Sequence, residues 1–350
     1  METRIEVGIL GATGMVGQHF IRFLQGHPWF ELTWLGASDR SAGKKYREAA
    51  KWHLDGPTPA SVADLVVQDS KSPAGAPKLM FSAMDASVAT EIEQAFAQAG
   101  HVVVSNSKNH RMERDVPLIV PEINAEHLKL IPGQQKLRGW KGQIVTNPNC
   151  STITLTLGLA PLKRFGITKV VATTLQAISG AGYPGVPSMD INANIIPFIG
   201  GEEEKMQQET QKILGHFAGD RIEPLAAKVS AHCNRVPVVD GHTVTISVEL
   251  SSKPAEADIL HAFDSFTSVP QERSLPSAPK RPVIYMTEAD RPQPRKDAER
   301  ERGMAAFLGR LRACPVLDYK FVALAHNTVR GAAGAAVLNA ELMYSEGLLD

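Results

Sequence analysis

Along the chain, short apolar runs alternate with amphipathic stretches of ten or more residues. Ile5 to Leu10 predicts a buried strand, and Met15 to Leu24 a helix entered through a Gly-rich turn. Glu31 to Ala37 and Leu79 to Ala83 predict further strands, Ala86 to Ala99 a helix, and His101 to Ser105, centred on three valines, a fourth strand. Lys44 to Pro77, broken by Gly and Pro, predicts an irregular surface excursion. This alternation predicts a mostly parallel sheet covered on both faces.

A polar break over Ile131 to Gly142 precedes a short strand, Gln143 to Thr146. Then come the turn Asn147-Pro-Asn-Cys-Ser-Thr152 and a helix running to Leu162. Lys169 to Ala177, rich in Val and Thr, opens a second unit. In His242 to Leu250, His242, Val244, Ile246, Val248 and Leu250 share one face and the polar residues the other, as in a sheet packed on one side. Gly200 to His216 predicts a helix with Glu202, Glu203, Glu204 and Lys205 in its first turns. Arg281 to Arg302 predicts a charged, mobile or interface loop. Thr328 to Leu349 predicts a long Ala-rich helix able to pack back on the first unit.

A chain of 350 residues exceeds the usual reach of one core, so two domains are expected. Its 37 basic and 37 acidic side chains cancel, which removes any global pull toward nucleic acid or an anionic membrane. Three distant cysteines, Cys150, Cys233 and Cys314, exclude a disulfide scaffold, and no closely spaced thiol–imidazole set predicts a metal site. With no charged leader and apolar core at the start and no bilayer-length apolar run, a soluble cytoplasmic protein is expected.

The first turn carries glycines at 11, 14 and 17. They allow a tight turn, close approach of a phosphate to backbone, and close packing of helix on sheet, with free helix-start amides for a pyrophosphate. The spacing departs from strict G-x-G-x-x-G, and an ordinary Gly-rich turn is the alternative. After the second strand, Ser38, Arg40, Ser41 and Lys44 offer donors for a 2′-phosphate and favour NADP; Asp39 keeps NAD open.

Cys150 opens a helix directly after Asn-Pro-Asn, where the helix field favours a thiolate and backbone amides can face an oxyanion. Cys233 and Cys314 lack such a setting and read as structural. His242, at the head of its strand, is the candidate proton acceptor, against the alternative of a hydrogen-bonded core histidine. Arg235 can clamp a carboxylate or form an interdomain salt bridge. Lys108 and Arg111 follow a buried parallel strand at its carboxyl end, where open sheets bind ligands, and Ser179 to Gly185 is a flexible loop of less specific content.

Gly11-Ala-Thr-Gly-Met-Val-Gly17, Ser105 to Met112, Asn147 to Cys150, Gln176-Ala-Ile-Ser-Gly-Ala-Gly182 and Arg235 through Gly241-His242 together resemble the aspartate-semialdehyde dehydrogenases. The branch is the one found in archaea, fungi and some bacteria, and the likeness runs from the first strand to the last helix. It implies an α/β fold: a Rossmann-like dinucleotide-binding domain (1–149 with 327–350) and an α+β, glyceraldehyde-phosphate-dehydrogenase-like catalytic and dimerisation domain (150–326). It also implies Cys150 as nucleophile, His242 as acid/base, Gln176 as orienting residue, Arg235 as clamp for the α-carboxylate and Arg111 as phosphate ligand. Lys108, Glu202 and Lys205 resemble further substrate and phosphate contacts. Gly11, Thr13, Gly14, Met15, Val16, Gly17, Ser38, Arg40, Ser41, Ser179, Gly180 and Asn327 resemble cofactor contacts.

The implied reaction is reversible, NADPH-dependent reduction of L-4-aspartyl phosphate to the semialdehyde through a Cys150 thioester, releasing inorganic phosphate. It would serve lysine, threonine and methionine biosynthesis in a homodimer or dimer of dimers, with no nucleic-acid or membrane partner. Another acyl-phosphate or acyl-thioester reductase, for N-acetylglutamyl phosphate or malonyl-CoA, remains an alternative. So does a nucleotide-sensing protein without turnover.

Overall fold

The computed structural model describes residues 4–349; Met1 to Thr3, on the approach to the first strand, and Asp350 lie outside the described residues. Val7, Ile9 and Leu10 are fully buried, and their strand, Ile5–Leu10, sits inside a sheet of six. The order is Gln68–Asp69, Phe30–Ala37, Ile5–Leu10, Leu79–Ser82, Val102–Ser105, Gln143–Thr146, every pair parallel. Helix Ala86–Ala99 starts where the Asp85 side chain accepts from Ser87 N–H and stops at Gly100, whose φ of 107° only glycine adopts freely.

The second sheet also has six strands, in the order Lys228–Arg235, Ile167–Gln176, His242–Leu250, Tyr319–Ala325, Ala306–Ala313, Val283–Met286, with mixed directions. Its buried face joins Val170, Ala172, Val244, Ile246 and Phe321 to Leu155 and Leu159 of helix Cys150–Leu159. That helix is therefore buried between the halves, and both halves position its first residue. Among the described residues no helix is long and apolar enough to cross a membrane.

Four segments differ from expectation. Residues 44–77 contain two one-turn helices, Tyr46–Ala49 and Ala60–Ala63, and the edge strand Gln68–Asp69, anchored by the buried Tyr46 hydroxyl donating to Ala12 O. The polar 131–142 stretch holds a helix, Ile131–Arg138, because Pro132 sits in its first turn, Gly139 ends it at φ 65°, and only Ile131 and Gln134 need burial. Residues 281–302 are not loop throughout. They supply edge strand Val283–Met286 and helix Pro294–Asp297, with the buried Asp297 carboxylate accepting from Arg291 and from Gln293 N–H.

The tail is not one α-helix throughout. A π-helical turn, Val329–Ala333, precedes helix Gly334–Ser345, and a side chain at Gly334 would meet Met304 Sδ at 2.5 Å. Ala336, Val337, Leu338 and Leu342 share one apolar cluster with Val7, Ile9 and Phe81 of the first sheet.

Candidate active site

Cys150 is the first residue of its helix, and Asn149 caps it by accepting from the N–H groups of Ser151 and Thr152 at 2.9 and 3.1 Å. From the opposite side the C-terminal segment closes in. A Cβ on Gly331 would stand 2.6 Å from the Cys150 Cβ, so glycine is the residue that allows this approach. The half-buried thiol is thus held between a helix start and the π-helical turn.

Around it, hydrogen bonds join residues from several elements. Glu202 Oε1 accepts from Asn149 Nδ2 at 2.6 Å and from Gln176 Nε2 at 3.1 Å, while Glu202 Oε2 meets Lys205 Nζ at 3.0 Å. Gln176 pairs across the sheet with Arg235, whose Nη1 donates to Ala177 O at 2.7 Å. Ala177 N–H in turn donates to His242 Nδ1 at 3.0 Å. A Cβ on Gly180 would lie within 3.0 Å of both His242 and Arg235, so the 178–185 loop closes directly over them. Arg111 enters from the other side, with Nη1 donating to Glu209 at 3.0 Å and Nη2 to Asn106 O at 2.7 Å. Cys150, Gln176, Arg235, Arg111, Glu202, Lys205 and His242 therefore form one cluster. Lys108 stands apart: its side chain is exposed, and the charge it acts on is that of Asp85.

The protonation states depart from the expected thiolate. Burial pushes the Cys150 thiol up to about 12, and Glu202 adds to this. The nearby Arg111 and Arg235, with Ser151 N–H, pull the other way and do not compensate. The helix start alone thus leaves the free protein with a neutral thiol. Burial, reinforced by Arg235, holds the His242 imidazole near 3 despite Glu202. Since His242 Nδ1 accepts from a backbone N–H, the proton sits on Nε2, a buried atom without a protein partner. With Nδ1 taken by the backbone, His242 Nε2–H is a neutral donor in the free protein. For Glu202, burial raises the carboxyl, but Lys205 and the donors Asn149 and Gln176 outweigh it and hold it below its ordinary range.

The glycine turn has a different character. Gly11 has φ 79°, and a Cβ there would meet Ala83 O at 2.7 Å; at Gly17 it would meet Gly11 O at 2.4 Å. At Gly14, which is exposed, the nearest atom would be 3.6 Å away. Space therefore lies open over Gly14, the cap of helix Met15–Phe23, and this fits a phosphate on the helix-start amides next to it, Gly14 N–H itself donating to Gly11 O. Ser38 and Arg40 are exposed and Ser41 half-buried where the next strand ends, and among the described residues Arg40 has no partner. Asn327 Oδ1 accepts from Gly241 N–H, and its Nδ2 donates to Ser179 Oγ, at 2.8 Å each. Met15 and Ser179, far apart in sequence, line one cavity of about 820 Å³. Among the described residues no group of three or more His, Cys, Asp or Glu is placed to hold a metal.

The family description "Semialdehyde dehydrogenase, NAD binding domain" matches residues 6–131, and "Semialdehyde dehydrogenase, dimerisation domain" matches 159–330. An aspartate-semialdehyde dehydrogenase of Methanothermobacter thermautotrophicus is 52% identical over 343 residues, covering 97% of this chain and 99% of its own. The chain belongs to the aspartate-semialdehyde dehydrogenase family. The enzyme of that name from Saccharomyces cerevisiae is 46% identical, with 98% of each chain covered. The crystal structure of the Candida albicans aspartate-semialdehyde dehydrogenase with NADP superposes at a TM-score of 0.92 and 44% identity, covering 99% of this chain and 100% of that one. Membership makes the protein an enzyme with a two-domain α/β fold and a nicotinamide-cofactor domain.

Within the family frame, sequence reasoning missed three residues of the cluster. Asn149 carries both the cap and the bond to Glu202. Glu209 and Lys212 continue the face begun by Glu202 and Lys205. The spacing 202, 205, 209, 212 is that of one helix face, and four charges on a face that also carries Met206 and Ile213 was the available signal.

Proposed function

We propose that this enzyme interconverts L-4-aspartyl phosphate and L-aspartate 4-semialdehyde through a thioester on Cys150, using NADP(H). The observation that carries the reading is the placement of one thiol among two arginines and an acidic–amide hub. Arg235 and Arg111 address the two anionic ends of a small acyl phosphate, and Glu202 with Gln176 faces the reactive turn. Exposed Arg40 with Ser38 and Ser41 favours a 2′-phosphate and hence NADP.

In the reductive direction the Cys150 sulfur bonds to the acyl carbon, the acyl–oxygen bond to phosphate breaks, and the thiol proton leaves with the departing phosphate. His242 Nε2–H donates to the acyl oxygen as charge develops there. When bound, the nicotinamide cofactor supplies the hydride that reduces the thioester carbon. Collapse of the resulting thiohemiacetal alkoxide breaks the C–S bond, releases the aldehyde and returns the sulfur as thiolate, which takes up from solvent the one proton the reaction consumes. Arg235 and Arg111 hold the two ends still throughout.

The reading assigns 1–149 with 327–350 to cofactor binding and 150–326 to catalysis and pairing, in a cytoplasmic enzyme of aspartate-derived amino-acid biosynthesis. The outer face of strand Ile167–Gln176, with Val171 and Leu175 exposed, supports pairing of two copies. The test is phosphate-dependent reduction of NADP by aspartate semialdehyde, run beside N-acetylglutamate semialdehyde and malonate semialdehyde. Preference for aspartate semialdehyde by a factor of about 100 or more is expected, because neither alternative carries a free α-ammonium group at the same distance from its aldehyde. Preference for another aldehyde overturns the substrate assignment.

A further inference from the structure

Helix Glu202–Ile213 turns a stripe of alternating charge, Glu202, Lys205, Glu209 and Lys212, toward the site. The first two contact the Gln176 side of the cluster; the last two grip the Arg111 side. Glu209 is 1% exposed and spends its carboxylate on two donors: Arg111 Nη1 at 3.0 Å and the backbone N–H of Asn149 at 2.7 Å. The second donor belongs to the residue preceding Cys150. One turn along, Lys212 Nζ donates to the carbonyls of Arg111, Glu113 and Val116 at 2.7 to 2.9 Å. The guanidinium and the backbone of its loop are thus tied to the same helix.

A buried ion pair costs desolvation and is a poor device for stability alone, whereas its directional bonds fix geometry. With Nη1 held by Glu209 and Nη2 by Asn106 O, Arg111 keeps Nε buried and, among the described residues, without a partner, a donor left for an anion. We infer that Glu209 is a positioning residue for the reaction: it sets Arg111 against the Cys150 turn, so that a phosphate group held by Arg111 lies at a fixed distance from the sulfur. This rests on the proposed role of Arg111 in phosphate binding.

The test compares full-length Glu209→Gln and Glu209→Asp with the unchanged protein. In E209Q one acceptor oxygen becomes an amide donor facing a donor, so either Arg111 or Asn149 N–H loses its partner. The expected result is a KM for inorganic phosphate raised about tenfold, with kcat also reduced and cofactor Kd unchanged. E209D, which keeps both acceptors, recovers part of the loss. Protection of Cys150 from iodoacetamide by inorganic phosphate should weaken in the same order.

Unchanged phosphate KM and kcat in folded E209Q overturns the inference. So does a loss that follows thermal stability alone and falls equally on cofactor Kd. If E209Q does not fold, E209D with undiminished phosphate protection overturns it. Absence of phosphate-dependent turnover and of phosphate protection in the unchanged protein would instead sink the functional reading itself.

Discussion

The glycine turn and the Cys150 cluster are built on opposite principles. At the turn, backbone and empty space make the site: Gly11 and Gly17 are crowded by protein atoms, while Gly14 is not. At the cluster, side chains from several elements satisfy one another, and the reactive groups are neutral in the free protein. A backbone site is preorganised by folding alone. The thiol, by contrast, is neutral in the free protein, where burial and Glu202 outweigh the two arginines and the helix start.

Several substitutions would break or sharpen this contrast. The largest effect belongs to Cys150→Ala, which should reduce turnover on the order of 10⁴-fold or more while cofactor binding, measured by fluorescence titration, survives. Turnover within tenfold of normal would remove Cys150 from the chemistry. Next is Gly331→Ala, whose Cβ has nowhere to go beside Cys150. Steady-state kinetics should show kcat lowered about 100-fold with cofactor affinity retained, the usual scale for misplacing a reacting group by about 1 Å. Loss of cofactor affinity with kcat intact would place the crowding elsewhere.

The two helix-start glycines should then separate. Gly17→Ala forces a Cβ into backbone and should cost about 1–3 kcal/mol in thermal unfolding. Gly14→Ala should leave unfolding unchanged and weaken cofactor binding about tenfold, since it fills space meant for phosphate. Identical behaviour of the pair would contradict the cofactor assignment of the turn.

The smallest effects are in pH. With the thiol held near 12, alkylation of Cys150 in the free protein should rise about tenfold per unit from pH 6 to 9 without a plateau. A plateau in that range would indicate a thiolate already formed. His242 and His127 are held near 3 by burial, so between pH 6.5 and 3 the unfolded chain binds more protons than the folded one. Their contribution to stability is present above 6.5 and lost as pH falls through that window, which chemical denaturation at stepped pH would register.

The same contrast explains what the sequence made legible. Glycines after a first strand announce a backbone site, and alternation along His242–Leu250 placed His242 at the head of a buried face. Asn-Pro-Asn before Cys150 announced the helix start. Protonation was not legible, because it depends on Glu202 and on Ala177 N–H reaching His242 from distant positions. Glu209 escaped notice because a charge on a helix usually faces water, and only its tertiary partners reveal why this one is buried. The built segment at 281–302 was obscured for the same reason, since its charges are paired to one another around Asp297.

The central claim is that Cys150 carries the acyl group, and withholding phosphate tests it most directly. The protein is mixed with NADP and aspartate semialdehyde in phosphate-free buffer, and NADPH formation and the mass of the peptide bearing Cys150 are followed together. The account predicts a single-turnover burst of NADPH, an aspartyl group bound as thioester at Cys150, and its release on adding inorganic phosphate. A burst with the acyl group on another residue, or no acyl-enzyme although turnover proceeds once phosphate is added, would contradict it.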